Sequence, residues 1–493
     1  MIGEVLSAVL NPMILIYIVL GVAGGICIGA LPGLTATMGV ALILPLTFGL
    51  DGSAGMLLLL GVYIGAIYGG SISAILLKTP GTPASAATAA DGYAFSKRGE
   101  GGRALGIATV SSFCGGAVSC ILLMLISPQL AKLALKFSAP EFFMLALFGL
   151  SIIASVSGKS LAKGILFGCI GLLLAMIGID SITGYVRFTY GNINLLSGIS
   201  FIPVMIGLFA MTQAFIGIEE IFLKDEIDQK IDRVLPTKED LKSIFKIAPI
   251  TGLIGTFIGI VPGAGADIGA FVSYNEAKRF SKHPEKFGTG IPDAIAASEG
   301  GNNGVTGGAM IPMLTLGIPG DATAAIMIGA LTIQGLQPGP LLFTDNAVLV
   351  YTIFAGLFLA NVVMLILGLS GIRLFVKVLA IPKTILTPMI MILCVVGSYA
   401  INMNLFDVGV MVACGIIGYF LHKLEVPASP IVLALILGPL AESNFRRALL
   451  MSGGSISTFI STPISIFFCF MSVITLFWPF IASRKKKKAS ETV

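Results

Sequence analysis

Charge is what this chain has least of. Asp, Glu, Lys and Arg make up 11% of its 493 residues, whereas 56% are hydrophobic. A soluble fold of this length cannot cover so much apolar surface, which excludes an ordinary aqueous enzyme. There are only two histidines, His283 and His422, each beside a lysine at the edge of an apolar segment. They offer no metal-ligand spacing. The seven cysteines, Cys27, Cys114, Cys120, Cys169, Cys394, Cys414 and Cys469, all sit in apolar runs and none makes a CxxC pair. They read as small packing residues, so no metal, redox or other cofactor is expected. No GxxxxGK[ST] stretch occurs, which removes the usual cradle for ATP phosphates. Alternating strand-length segments are missing too, and with them the signature of a membrane β-barrel. The N-terminus has no basic leader region, so Asn11 to Leu31 reads as a retained span and not as a cleaved signal.

What is present is a series of apolar runs of membrane-spanning length from Asn11 to Ile481. At about 20 residues per span they amount to roughly ten to twelve transmembrane helices. The expected fold is therefore an all-α polytopic membrane protein. The net charge is +5, and much of the basic excess lies in RKKKK, Arg484 to Lys488, directly after the last apolar run. The positive-inside bias places that tail in the cytoplasm. Two stretches look aqueous: a charged connector, Glu219 to Lys246, and Asn275 to Asp293. The expected organisation is a first transmembrane repeat over 1–218 and a cytoplasmic connector over 219–246. A second repeat with additional spans follows over 247–483, then a basic cytoplasmic tail over 484–493.

The repeats are carried by 61 glycines and 24 prolines, used in a pattern. Gly25, Gly29, Pro32, Gly33, Ala36 and Gly39 recur as Gly255, Gly259, Pro262, Gly263, Ala266 and Gly269, at one constant offset of 230. A second motif follows in each half: Gly69 and Gly70 are answered by Gly307 and Gly308, and Pro80-Gly81 by Pro319-Gly320 with a slip of one residue. Basic residues swap loops between the halves. The loop after the first motif is bare in its first copy, Thr47 to Gly55, and carries Lys278, Arg279, Lys282 and Lys286 in its second. The loop after the second motif carries Lys97, Arg98 and Arg103 in its first copy and none from Gln337 to Asn346. Opposite insertion of the halves is the expectation, which makes an inverted-topology repeat suited to alternating access.

Each Pro-Gly pair interrupts an apolar stretch. Proline removes a backbone donor and glycine permits positive φ, so each pair can end one helix and open another, giving broken or re-entrant helices. Irregular backbone at membrane depth must be buried in protein or line a cavity. The new helix start presents N–H groups and a positive dipole end, suited to a carboxylate. The expected solute-binding residues are Pro32, Gly33, Thr35, Thr79, Pro80, Gly81, Thr82, Pro83, Ser85, Pro262, Gly263, Asn302, Asn303, Pro319, Gly320 and Asp321. Thr37 and Thr88 add hydroxyls nearby. Acids in apolar sequence are functional candidates by default, and Asp267 and Glu299 are the expected ion-coupling residues, for H⁺ or a transported Na⁺. Each acid has a rival reading as a helix cap. Lys78, before the second break, either attracts an anion or snorkels to the interface.

These motifs resemble the large membrane subunit of tripartite tricarboxylate transporters, the TctA family. The matching stretches are GALPGLTATMGVALILPLTFGL (Gly29 to Leu50), YGGSISAILLKTPGTPASAATAADGY (Tyr68 to Tyr93), VPGAGADIGAFVSYNEAKRFSKHPEKFG (Val261 to Gly288), EGGNNGVTGGAMIPMLTLGIPGD (Glu299 to Asp321) and IQGLQPGPLLF (Ile333 to Phe343). The chain departs from the family's pattern at Lys78, where asparagine is usual, and at Ser298 and Gly300 to Gly301. The resemblance implies a permease of the bacterial inner membrane, driven by a Na⁺ or H⁺ gradient. It would import carboxylates such as citrate, delivered by a periplasmic TctC-like binding protein, beside a small TctB-like membrane subunit. Two other functions are open to the residues. Broken helices also build channel filters, which gives a passive anion channel. Ser71 and Asp267 invite an intramembrane protease, but a histidine at depth and a convincing second aspartate motif are missing.

Overall fold

The computed structural model describes residues 2–151, 153, 161–180, 182–219, 233–379 and 381–490. Among them the chain is helical almost throughout, as expected. Eight helices are long and apolar enough to cross a membrane, and five shorter apolar helices accompany them. Of the expected charged connector over 219–246, residues 220–232 lie outside the described residues, and Lys238 to Lys246 begin the helix Lys238–Ile260.

The chain forms two compact units. One comprises Met1–Lys132 and Gln213–Met403, the other Leu133–Thr212 and Asn404–Val493. Each half of the sequence thus contributes one stretch to each unit.

The first unit holds every Pro-Gly break. Helix α1 (Pro12–Ala30) starts with proline at its first position, and the Asn11 side chain accepts the Met13 N–H at 2.9 Å. It ends before Pro32, and α2 (Ala36–Ile43) starts after the break. Helix α3 (Gly52–Leu77) ends at Lys78, whose φ of 60° is left-handed. A short turn, Pro83–Ser85, leads into α4 (Ala86–Lys97), and α5 (Gly101–Ala134) follows. The later stretch repeats this order. Helix α6 (Lys238–Ile260) is capped by Thr237 and Asp240, each side chain accepting the other's N–H. Arg103 clamps Asp240 from α5 with two bonds of 2.7 and 2.8 Å. After Pro262-Gly263 comes α7 (Ala266–Phe280). Helix α8 (Pro292–Leu316) ends at Gly317, φ 70°, and α9 (Ala322–Ile333) starts after Pro319-Gly320.

Glycine decides how these helices pack. A Cβ at Gly21, Gly25 or Gly29 of α1 would strike the carbonyl oxygens of Leu58, Val62 and Ala66 on α3. Gly255 and Gly259 of α6 meet the carbonyls of Gly301 and Val305 on α8 in the same way. Small residues four apart let backbones approach to contact, the usual device where lipid removes the hydrophobic drive between helices. Helix α8 is buried at every position from Ala294 to Leu316, although it carries Glu299, Asn302 and Asn303.

The second unit packs Ala139–Ser151, Leu161–Ala175, Ser429–Met451 and Pro463–Ser490 around small and aromatic side chains. Its strands β1 (Gly178–Ile179) and β2 (Val186–Arg187) form an antiparallel pair. Asp180 in this hairpin accepts the N–H groups of Ile182 and Thr183 at 2.8 Å each and is bonded by Arg446. Those backbone donors first, and then Arg446, hold its carboxyl well below the usual range. Arg187 pairs with Glu442 through two bonds of 2.6 and 3.2 Å.

Candidate functional site

The four breaks do what proline and glycine predict: each ends one helix and opens another. The new starts then meet in pairs. Helix α2, after Pro32-Gly33, packs on α9, after Pro319-Gly320. Thr37 and Thr323, in their first turns, share a hydrogen bond of 3.0 Å. The turn 83–85, after Pro80-Gly81, packs on α7, after Pro262-Gly263. In the sequence, Pro80-Gly81 and Pro319-Gly320 are related as copies of one motif. The structure instead joins unlike motifs from opposite halves. A backbone bond of 2.7 Å from the Gly263 N–H to the Gly320 carbonyl ties the third break to the fourth.

The two pairs differ chemically. At the first, the protein satisfies its own helix starts. Thr35 accepts the Met38 N–H at 3.1 Å. Asp321 accepts the Ala324 N–H at 2.7 Å, and its other oxygen accepts the Tyr63 hydroxyl at 2.6 Å. At the second pair the capping differs: the Ser85 Oγ accepts the Thr82 N–H at 3.3 Å. Gly265 precedes α7 and has no side chain to offer. Thr82 precedes the 83–85 turn; it is 2% exposed and its hydroxyl has no partner. Asn302, 0% exposed on α8, has neither amide atom paired, and the Asn303 Oδ1 is also open. Ser85 is turned inward and donates to the Thr82 carbonyl at 2.8 Å.

Other expected residues are placed less centrally. Thr79 is exposed and its hydroxyl only reaches the Leu77 carbonyl, at 3.4 Å. Lys78, Gly33 and Pro83 are exposed, and Pro32, Thr35, Pro80 and Gly263 are half-buried. Gly81, Pro262, Pro319 and Gly320 are buried. Gly81 and Gly320 are tighter than substrate access alone requires. A Cβ at either would collide with a backbone carbonyl, Gly29 for the first and Gly259 for the second. Valine at these positions is therefore expected to disturb folding, not access alone.

The two coupling candidates are separated in kind. Asp267 lies in the first turn of α7 and is exposed. Glu299 is fully buried on α8, where Thr88 of α4 donates to one oxygen at 2.5 Å and Ser112 of α5 donates to the other at 3.0 Å. Thr88 also meets Ser298, at 2.8 Å. Sequence reasoning passed over Tyr63 and Ser112. The signal for Tyr63 was a phenol in the apolar, glycine-rich run GVYIGAIYGG; Ser112 offered none beyond a hydroxyl in a long helix.

Three comparisons bear on this arrangement. The model of the Tripartite tricarboxylate transporter TctA family matches residues 15–433. An uncharacterized 52.8 kDa protein of the TAR-I ttuC' 3' region in Agrobacterium vitis is 38% identical over 463 residues. That match covers 92% of this chain and 91% of the relative. An uncharacterized protein of the TAR-II ttuC' 3' region in the same organism is 36% identical over 234 residues, covering 48% of this chain and 97% of the relative. No solved structure matches the chain.

Proposed function

The chain belongs to the tripartite tricarboxylate transporter TctA family, and on that premise we propose that it is the large permease subunit of a binding-protein-dependent secondary transporter. Its cargo is a di- or tricarboxylate such as citrate. It lies in the bacterial inner membrane with its C-terminus in the cytoplasm. It works with a small TctB-like membrane subunit and a periplasmic TctC-like binding protein, and a Na⁺ or H⁺ gradient drives import. The observation that carries this reading is the meeting of helix starts from opposite halves of the chain inside one compact unit. Broken helices that pair in this way suit an anion site at the interface of inverted repeats. A few weak donors hold an anion without a fixed cation, and so allow release.

Coupling follows from the same geometry. A carboxylate at the start of α7 stands near Asp267, in that helix's first turn. Two anions so placed repel unless a cation or proton joins them, which makes solute binding conditional on the ion. Glu299 offers a second, fully enclosed acid for the same purpose.

The test is uptake by the reconstituted carrier with both partners, across a panel of di- and tricarboxylates, under imposed Na⁺ or H⁺ gradients. Accumulation against a gradient with saturable counterflow supports the reading. Downhill flux alone, without counterflow, identifies a channel. Asp267→Asn and Glu299→Gln should each weaken the ion dependence. Unaltered ion dependence in both removes them from coupling.

A further inference from the structure

The second-motif breaks are equivalent in space as well as in sequence. Gly81 is pressed against the Gly29 carbonyl and Gly320 against the Gly259 carbonyl, and Gly29 and Gly259 are themselves matched first-motif glycines. The residue after each second-motif glycine is Thr82 in one half and Asp321 in the other. Gly25 and Gly255, matched first-motif glycines, press on the carbonyls of Val62 and Gly301, so the residues that follow, Tyr63 on α3 and Asn302 on α8, stand at equivalent places. Helix α3 packs on α9, and α8 packs on the 83–85 turn, so each pair crosses between the halves in the same sense.

One of these equivalent places is filled. Asp321 supplies a carboxylate that accepts the Ala324 N–H and the Tyr63 hydroxyl. At the other place the acid is replaced by Thr82 and the long phenol by a short amide, Asn302. All three polar side-chain atoms there are buried and unpartnered. A buried polar atom without a partner is destabilising, so their openness calls for a ligand.

We propose that Asp321 is the protein's own copy of the contact its solute makes at the matched site: the solute's carboxylate takes the equivalent position beside Thr82, bound by the Thr82 hydroxyl and the Asn302 Nδ2. The assignment rests on the carboxylate reading above. It places the solute at the α7 and 83–85 starts and excludes it from the α9 start, whose positive end already holds a carboxylate. It also narrows the solute class. Asn302 Oδ1 is an acceptor, and a carboxylate cannot donate to it. A hydroxyl on the carbon chain can, so the site fits a hydroxycarboxylate better than its deoxy analogue. A site built to bond a substrate hydroxyl discriminates strongly against an analogue without one.

The test uses the reconstituted complex and two solute pairs, citrate with tricarballylate and malate with succinate. Wild type should favour the hydroxylated member of the transported pair by tenfold or more in kcat/KM. Asn302→Ala should bring that ratio to near one. Thr82→Asp places the second half's acid in the first half, so it should abolish uptake while the protein melts as wild type does. A wild type without the preference, or an Asn302→Ala variant that keeps it, overturns the assignment. So does a Thr82→Asp variant with normal apparent affinity. Should Thr82→Asp fail to fold, the Asn302 ratio decides alone. Wild-type protein that takes up none of the four solutes overturns the carboxylate reading, and this assignment falls with it.

Discussion

Replacing Glu299 by glutamine separates a coupling acid from a structural one. The carboxylate is fully buried, with the Thr88 hydroxyl on one oxygen at 2.5 Å and the Ser112 hydroxyl on the other at 3.0 Å. Glutamine has the same shape, and a hydroxyl can rotate to accept from the new amide. Folding should therefore lose less than about 1.5 kcal/mol, the range of one neutral hydrogen bond. Alanine is a harsher change. Thr88 keeps Ser298 as a partner, at 2.8 Å. Ser112 is left without its acceptor, at a cost of about 1 to 3 kcal/mol, with a cavity added. The functional effect is read in proteoliposomes. One charge moved across 100 mV is worth about 2.3 kcal/mol, which supports roughly fiftyfold accumulation. If Glu299 carries the coupled charge, Glu299→Gln should lose that accumulation and still catalyse solute counterflow. Accumulation at the wild-type level, with an unchanged response to the imposed gradient, refutes the coupling role.

Asp321→Ala should destabilise the protein by about 2 to 4 kcal/mol, because a helix cap is lost and the Tyr63 hydroxyl is left buried and unpaired. Asp321→Asn keeps the cap and should cost less, and thermal melting in detergent ranks the two. The depressed Asp180 carboxyl stabilises the second unit at any pH above its ordinary value near 4. That contribution should fall away as pH drops below about 4 toward its lower folded value. Asp180→Asn should flatten this part of the pH–melting curve, and a curve of unchanged slope would count against the hairpin network. Single cysteines at Asp51 and Lys282, in a background without native cysteines, should react with an impermeant maleimide from opposite sides of the membrane. Labelling of both from one side would remove the inverted-repeat reading.

The parts of the site legible in the sequence are those that depend on backbone chemistry. Proline and glycine alter the chain locally, so Pro32-Gly33, Pro80-Gly81, Pro262-Gly263 and Pro319-Gly320 announced the breaks without any tertiary knowledge. The left-handed end of α3 was partly legible as well. Lys78 adopts φ 60°, a conformation asparagine tolerates better than lysine, and asparagine is the residue the family resemblance led one to expect there. Which helix starts meet was not legible, because equal spacing relates the halves but says nothing about which surfaces touch. The depth of the acids was not legible either. Asp267 and Asp321 each follow a Pro-Gly break in apolar sequence, yet one is exposed and the other buried. Asp321 is held at depth by a partner far along the chain, the Tyr63 hydroxyl, which spacing along the sequence does not reveal.

On the proposed reading, exact symmetry between the halves would defeat the carrier. If both second-motif starts bore threonine, two equal anion sites would compete for one solute, and if both bore aspartate neither would accept it. The chain resolves this with two substitutions between its halves. Aspartate in place of threonine seals one start, and tyrosine in place of asparagine supplies the donor that holds the seal at 2.6 Å. The sealed start keeps the repeat's packing, since Gly320 sits on its carbonyl as Gly81 does. On the proposed assignment, the open start keeps its unpaired donors for the solute. Neither substitution suffices alone. Asp321 without Tyr63 loses one of its two hydrogen bonds at depth, and Tyr63 without Asp321 buries an unpaired hydroxyl. The double variant Tyr63→Phe with Asp321→Asn should therefore be less damaged than the sum of its single variants. A non-additivity of about 1 kcal/mol or more in melting free energy is the expected signature. Strict additivity would mean that the two residues hold the start independently, and that the seal is not a unit.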